Sequence, residues 1–120
     1  MADYWMPGVL RNEIKWFLRG YDDMKAEYES LAWQSGEQDG QPRGTAPGDP
    51  TASRAIRAAR LGSNLRAIDK ALEALPEYYR QPVFEHVAHR APWPDYADRK
   101  TYLKYRRMFL YQVAKNLGRI

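Results

Sequence analysis

From Leu10 the large apolar side chains fall at Leu10, Ile14, Phe17, Tyr21, Met24, Tyr28 and Leu31, in alternating steps of four and three residues. Such steps keep one stripe on one side of an α-helix and, after Pro7 and Gly8, predict a long helix over residues 8–34. Gly20 is its weak point, about 1 kcal/mol worse than Ala in a helix interior. Trp5, Trp16 and Trp33 add bulk near its flanks. A second stripe, Ala58, Leu61, Leu65, Ile68, Leu72 and Leu75, predicts a helix over 51–75, with Asp49 as N-cap and Pro50 at its first position, where a missing N–H costs nothing. Residues 35–50 between them carry Gly36, Gly40, Pro42, Gly44, Pro47 and Gly48 and hardly an apolar side chain. They sustain neither period and read as a flexible loop. Two stripes joined by a loop predict a long helical hairpin, whose seams either pack within the monomer or also join a homodimer.

Downstream, Pro76 and Pro82 predict a turn over 76–81 and a short helix over 82–90 with Val83, Phe84 and Val87 inward. Ala91, Pro92, Trp93 and Pro94 read as stiff, extended chain, after which Asp95 and Asp98 offer N-caps for a last helix. In that helix Tyr102, Leu103, Phe109, Leu110, Val113, Ala114 and Leu117 gather on one side, and Lys100, Lys104, Arg107, Tyr111 and Lys115 on the other. The expected fold is all-α, a single domain over 1–120 with its helix-turn-helix-like part over 76–120.

Charge sharpens the reading of that last helix. Residues 1–50 hold five basic and nine acidic residues, a net of −4, whereas residues 51–120 hold fourteen and six, a net of +8. The final twenty-two residues carry Arg99, Lys100, Lys104, Arg106, Arg107, Lys115 and Arg119 with no Asp or Glu. A basic face with hydroxyls interleaved suits duplex DNA, whose phosphates it neutralises with release of counterions, and it is also how a merely solvated surface looks. Arg54, Arg57 and Arg60 make a lesser basic face that reads as solvated. The absence of cysteine, of a signal-like apolar run and of any stretch of 18 apolar residues predicts a cytoplasmic protein with no membrane partner.

The string Leu75-Pro76-Glu77-Tyr78-Tyr79-Arg80-Gln81-Pro82-Val83-Phe84-Glu85-His86-Val87 resembles the opening helix of the DNA-binding region 4 of sigma-70 factors, and Asp98 to Gly118 is similar to the recognition helix closing that module. The order of parts, with Asp49, Pro50 and Thr51 after a Gly/Pro-rich loop, resembles the RinA-like late transcriptional activators of phages. The resemblance implies a phage or prophage transcription regulator that binds double-stranded DNA and contacts RNA polymerase. The DNA contacts expected at the start of the last helix are Arg99, Lys100, Thr101, Lys104, Arg106 and Arg107. One departure is that only the nine residues Arg90 to Asp98, with Pro92 and Pro94 among them, precede the last helix. A complete middle helix does not fit there, which weakens base reading more than phosphate binding.

No other chemistry reaches the strength of a motif. His86 and His89 lack the further ligands of a metal site, Asp22, Asp23 and Glu27 lie on a helix without a pocket, and Ser30, Ser35, Ser53 and Ser63 have no histidine and acid arrayed around them. The expectation is a non-enzymatic protein without metal or cofactor. A different class of function fits the same stripes: a helical assembly adaptor, as in phage morphogenesis, that binds a protein partner and no nucleic acid.

Overall fold

The computed structural model describes residues 4–37, 50–94 and 98–120, all of them in helices or their connections, with no strand among them. Five helices follow in order: α1 (Gly8–Arg19), α2 (Tyr21–Glu37), α3 (Pro50–Glu73), α4 (Glu77–His89) and α5 (Arg99–Asn116). The all-α expectation holds.

The expected single helix over 8–34 is two helices. At Gly20 (φ −86°, ψ 7°) the N–H turns back to the Phe17 carbonyl at 3.1 Å, and a new helix starts with Asp22 and Asp23 in its first turn, where carboxylates complement the helix dipole. The break divides the stripe. Ile14, with Leu18 from outside the stripe, is sealed in the core beside α4 and α5, whereas α2 packs along α3 with Tyr28 and Leu31 half-buried. The hairpin therefore consists of α2 and α3 alone. α2 reaches further than expected, since Ser35 to Glu37 are helical, whereas α3 begins at Pro50 as expected and ends at Glu73, short of the expected residue 75; Asp49 and most of the expected loop lie outside the described residues.

The core gathers Ile14 and Leu18 of α1, Ile68 and Ala71 of α3, Val83 and Val87 of α4, and Tyr102, Phe109, Leu110, Val113 and Ala114 of α5. Met6 and Leu75 close it from the connections. Only the C-terminal half of α3 contributes, so the N-terminal half projects with α2 as an arm. The Cα radius of gyration is 17.8 Å, against about 14 Å for a spherical domain of this length. The molecule measures 58 × 28 × 20 Å. Along the arm Tyr28 lies over Gly62, where a Cβ would come within 3.0 Å of the ring, and the Arg57 guanidinium pairs with Glu27.

The expected turn over 76–81 is instead the first part of α4, which runs through Pro82. Proline there withholds one backbone hydrogen bond. The preceding turn is anchored regardless: the Tyr79 ring packs against Tyr102 (5.0 Å) and Tyr105 (4.6 Å), and Arg80 donates from Nε to the Leu75 carbonyl (3.0 Å) and from Nη2 to the Glu73 carbonyl (3.3 Å). Those bonds satisfy carbonyls at the end of α3, fastening the two helices end to end. Val83 and Val87 point inward as expected, and half-buried Phe84 takes the edge of Tyr21 at 4.9 Å. Arg90 then leaves the helix in the left-handed conformation (φ 57°), with its own N–H and that of Ala91 turned back to the Glu85 carbonyl. Among the described residues no helix is long and apolar enough to cross a membrane.

Candidate nucleic-acid interface

α5 carries an apolar face and a cationic one on opposite sides. Phe109, Val113 and Ala114 are wholly sequestered and Tyr102 and Leu110 nearly so, while Arg99, Lys100, Lys104, Arg107 and Lys115 are exposed on the far side. Leu103 and Leu117 are half-buried at the margin. Tyr111, expected on the free face, instead meets Tyr4 edge-on at 5.5 Å and packs against the core, because its bulk reaches around the helix.

Asp98 caps the helix as expected, accepting from the Lys100 N–H (3.2 Å) and from the Thr101 hydroxyl (2.7 Å). Asp95 lies outside the described residues. Thr101 thus has its hydroxyl proton committed to the cap, and of the six expected contacts it is the one with an intramolecular task. Arg99 and Lys100 stand in the first turn, with no acidic residue beside them there. Positive charge at that end opposes the helix dipole, and the Asp98 carboxylate is the group there that complements it.

Arg106 departs from the row of exposed cations. It is half-buried between α1, α4 and α5, and its Nη1 lies 3.4 Å from His86 Nε2. His86 stacks on Trp93 (centroids 3.6 Å apart, planes 13° apart) and its Nδ1 meets the Ala91 carbonyl at 2.8 Å. That contact assigns the ring proton to Nδ1 and leaves Nε2 as the acceptor for Arg106. Burial, with Arg106 and Lys15 nearby, holds the His86 pKa below its ordinary value, which keeps the ring neutral.

Arg106 also brings in cations that the sequence reading passed over. One side of it faces a cleft of about 70 Å³ lined by Lys15, Arg19, His86 and Val87, and the other a groove lined by Arg11, Arg107, Met6, Leu103 and Leu110. Burial first, and then Arg106, Arg11 and Arg19, lower the Lys15 pKa; burial first, and then Arg11 and Arg107, do the same to Arg106. Arg11, Lys15 and Arg19 follow one another at intervals of four residues along α1, a spacing that places them on one side of the helix. That spacing was visible in the sequence, but it was masked by the acidic balance of residues 1–50. The folded chain shows why: the acids cluster after the break, as Asp22, Asp23, Glu27 and Glu29 of α2, while α1 carries three cations against Glu13.

Among the described residues the ion pairs are Arg57 with Glu27, Arg119 with Glu13 (2.5 Å), and His89 with Asp22 (2.8 Å) and Glu85 (2.7 Å). None of Arg11, Lys15, Arg19, Arg99, Lys100, Lys104, Arg106 and Arg107 is in such a pair. His86 and His89 thus part company, one supporting Arg106 and the other tying α2 to the end of α4. No protein-family model, curated protein or solved structure matches the chain.

Proposed function

We propose that this chain is a DNA-binding transcription regulator which holds duplex DNA against the exposed face of α5. The observation that carries the reading is the row Arg99, Lys100, Lys104 and Arg107: exposed, without ion-pair partners among the described residues, and begun at the helix end where positive charge is least favourable. Thr101 and Arg106, the other expected contacts, act here by capping α5 and by widening the positive field. Nine residues separate α4 from α5, more than the three or four of a usual helix-turn-helix. Phosphate contacts therefore carry most of the affinity, and base reading falls to Arg107 or its neighbours.

The likeness to RinA-like activators and to sigma-70 region 4 supports a phage or prophage regulator acting in the host cytoplasm. In that reading the acidic α2, held away from α5 on the arm, is the element that would touch RNA polymerase or a second copy of the chain. The adaptor reading has one observation of its own, the exposed apolar side chains Ile56, Trp5, Val9 and Trp16.

Fluorescence anisotropy with random-sequence duplex at several salt concentrations tests the proposal. Binding should weaken with salt at a slope of roughly −3 to −5 in log K against log salt. The triple variant Lys100→Glu, Lys104→Glu, Arg107→Glu should fold normally and lose most of this binding. Unchanged affinity in that folded variant would overturn the proposal and favour the adaptor.

A further inference from the structure

We infer that Lys15, Arg19 and Arg106 form a second anion site, in which α1 and α5 together grip a single phosphate group. The site is distinct from the exposed row of α5, and it rests on the DNA-binding reading only for where its phosphate comes from.

Lys15 and Arg106 are half-buried side by side, Arg19 joins them in one cleft, and Arg11 joins Arg106 in the adjoining groove. Like charges brought together and partly withdrawn from water repel more strongly than they would in solution. Acids were available to relieve this, since Glu13 on the same helix reaches Arg119 and Glu27 reaches Arg57. Among the described residues none reaches Lys15, Arg19 or Arg106. A bound anion is what would balance them.

Geometry then narrows the anion. The Arg19 and Arg106 guanidinium groups and the Lys15 ammonium line one cleft, and their several N–H donors suit a tetrahedral oxyanion with multiple acceptor oxygens better than a planar carboxylate. His86 takes part as a positioning residue. Its Nδ1–H is committed to Ala91 and its Nε2 accepts from Arg106, so it orients the guanidinium without adding a charge of its own. The stack on Trp93 fixes the ring in turn. At the mouth the Arg19 guanidinium lies 5.0 Å over the ring of Trp16, which holds that long side chain near the cleft. The ligand class is therefore a phosphate, either a diester of the nucleic-acid backbone or a monoester at a strand end.

The test uses the full chain, isotopically labelled for NMR, titrated with inorganic phosphate at constant ionic strength. Saturable shifts should be confined to Lys15, Arg19, His86 and Arg106, spare Lys100 and Lys104, and vanish in the double variant Lys15→Gln, Arg19→Gln. Arg19 is exposed and Lys15 only half-buried, so the variant should fold, and an unchanged amide spectrum elsewhere checks that it does. Arg106→Lys keeps the charge but loses the fork, and should weaken phosphate binding several-fold. The source is separated by duplexes with and without 5′-phosphates: for a backbone diester the double variant flattens the salt slope by about one unit on both, and for a monoester it weakens only the phosphorylated one. Shifts that grow linearly and spread over all exposed cations, or a double variant that binds phosphate like the wild type, would overturn the inference. If phosphate saturates the cleft while no duplex binds, the site stands and the regulator reading fails. If α5 holds duplex while the cleft ignores phosphate, the reverse is true.

Discussion

Ile56 and Ile68 occupy the same helix, α3, and differ in what surrounds them: Ile68 is fully buried, whereas Ile56, on the arm, is 62% exposed. Truncating each to Ala separates the core from the arm with identical chemistry. At Ile68 the change withdraws three buried carbons, about 2.4 kcal/mol of transfer free energy at about 0.8 kcal/mol each, and the cavity left between α3 and α5 raises the total to roughly 2 to 5 kcal/mol. At Ile56 little area is lost, and the expected change stays within about 0.5 kcal/mol. Urea unfolding monitored by circular dichroism reads both values from the shift in midpoint at constant slope. In a thermal scan the Ile68 variant should melt roughly 8 to 20 °C lower, taking about 4 °C per kcal/mol for a chain of this size. Equal losses at the two positions would refute the division into core and arm. So would an Ile56 variant that costs more than the Ile68 one.

The two histidines should titrate on opposite sides of their common ordinary value of about 6.5. His86 falls below it through burial, and His89 rises above it through the hydrogen bonds its ring donates to the carboxylates of Glu85 and then Asp22, which two-dimensional NMR of the ring protons resolves directly. The signs follow by linkage: the His89 bridge is fully present below pH 6.5 and lost as pH rises through its folded pKa, whereas neutral His86 favours unfolding as pH drops below 6.5. His89→Gln should therefore lose stability on acidification from pH 7.5 to 5.5 more steeply than the wild type, and a parallel profile would show that the bridge contributes nothing. Asp98→Ala removes the α5 cap and should cost about 0.5 to 2 kcal/mol in urea unfolding. Gly62→Val drives a branched side chain into Tyr28, already at 3.0 Å from a bare Cβ. It should cost about 1 to 3 kcal/mol, seen as lost hydrogen-exchange protection in α2 with α5 unchanged.

The helical periods were legible because they reflect burial that each helix makes for itself. The stripe ending in Ile68, Leu72 and Leu75 and the sorted faces of α5 are examples. What escaped the sequence reading depends on contacts between distant segments. Gly20 has only a modest intrinsic cost, and it becomes a break because α1 is drawn to α4 and α5 while α2 follows α3. Pro82 forecast a boundary, and the helix continues through it because Tyr79 and Arg80, on its N-terminal side, find partners in α5 and at the end of α3. The basic row of α5 could be read from Lys100, Lys104 and Arg107 alone. The cluster around Arg106 could not, since it exists only where α1 lies against α5.

Because α3 runs unbroken from the projecting arm into the core, it works as a measuring rod. Its 24 residues span about 36 Å at 1.5 Å each, and its inner end is pinned to α5 where the Asn116 side-chain amide donates to the Ala67 carbonyl at 3.0 Å. Whatever meets the outer end is thereby held at a set reach and a set azimuth from the basic face. Each residue added to both arm helices would lengthen that reach by about 1.5 Å and swing the tip by about 100°. Seven added to each would extend it by about 10 Å and return the tip to within about 20° of its original heading. Lengthening the arm in such whole heptads would vary distance while leaving direction nearly untouched.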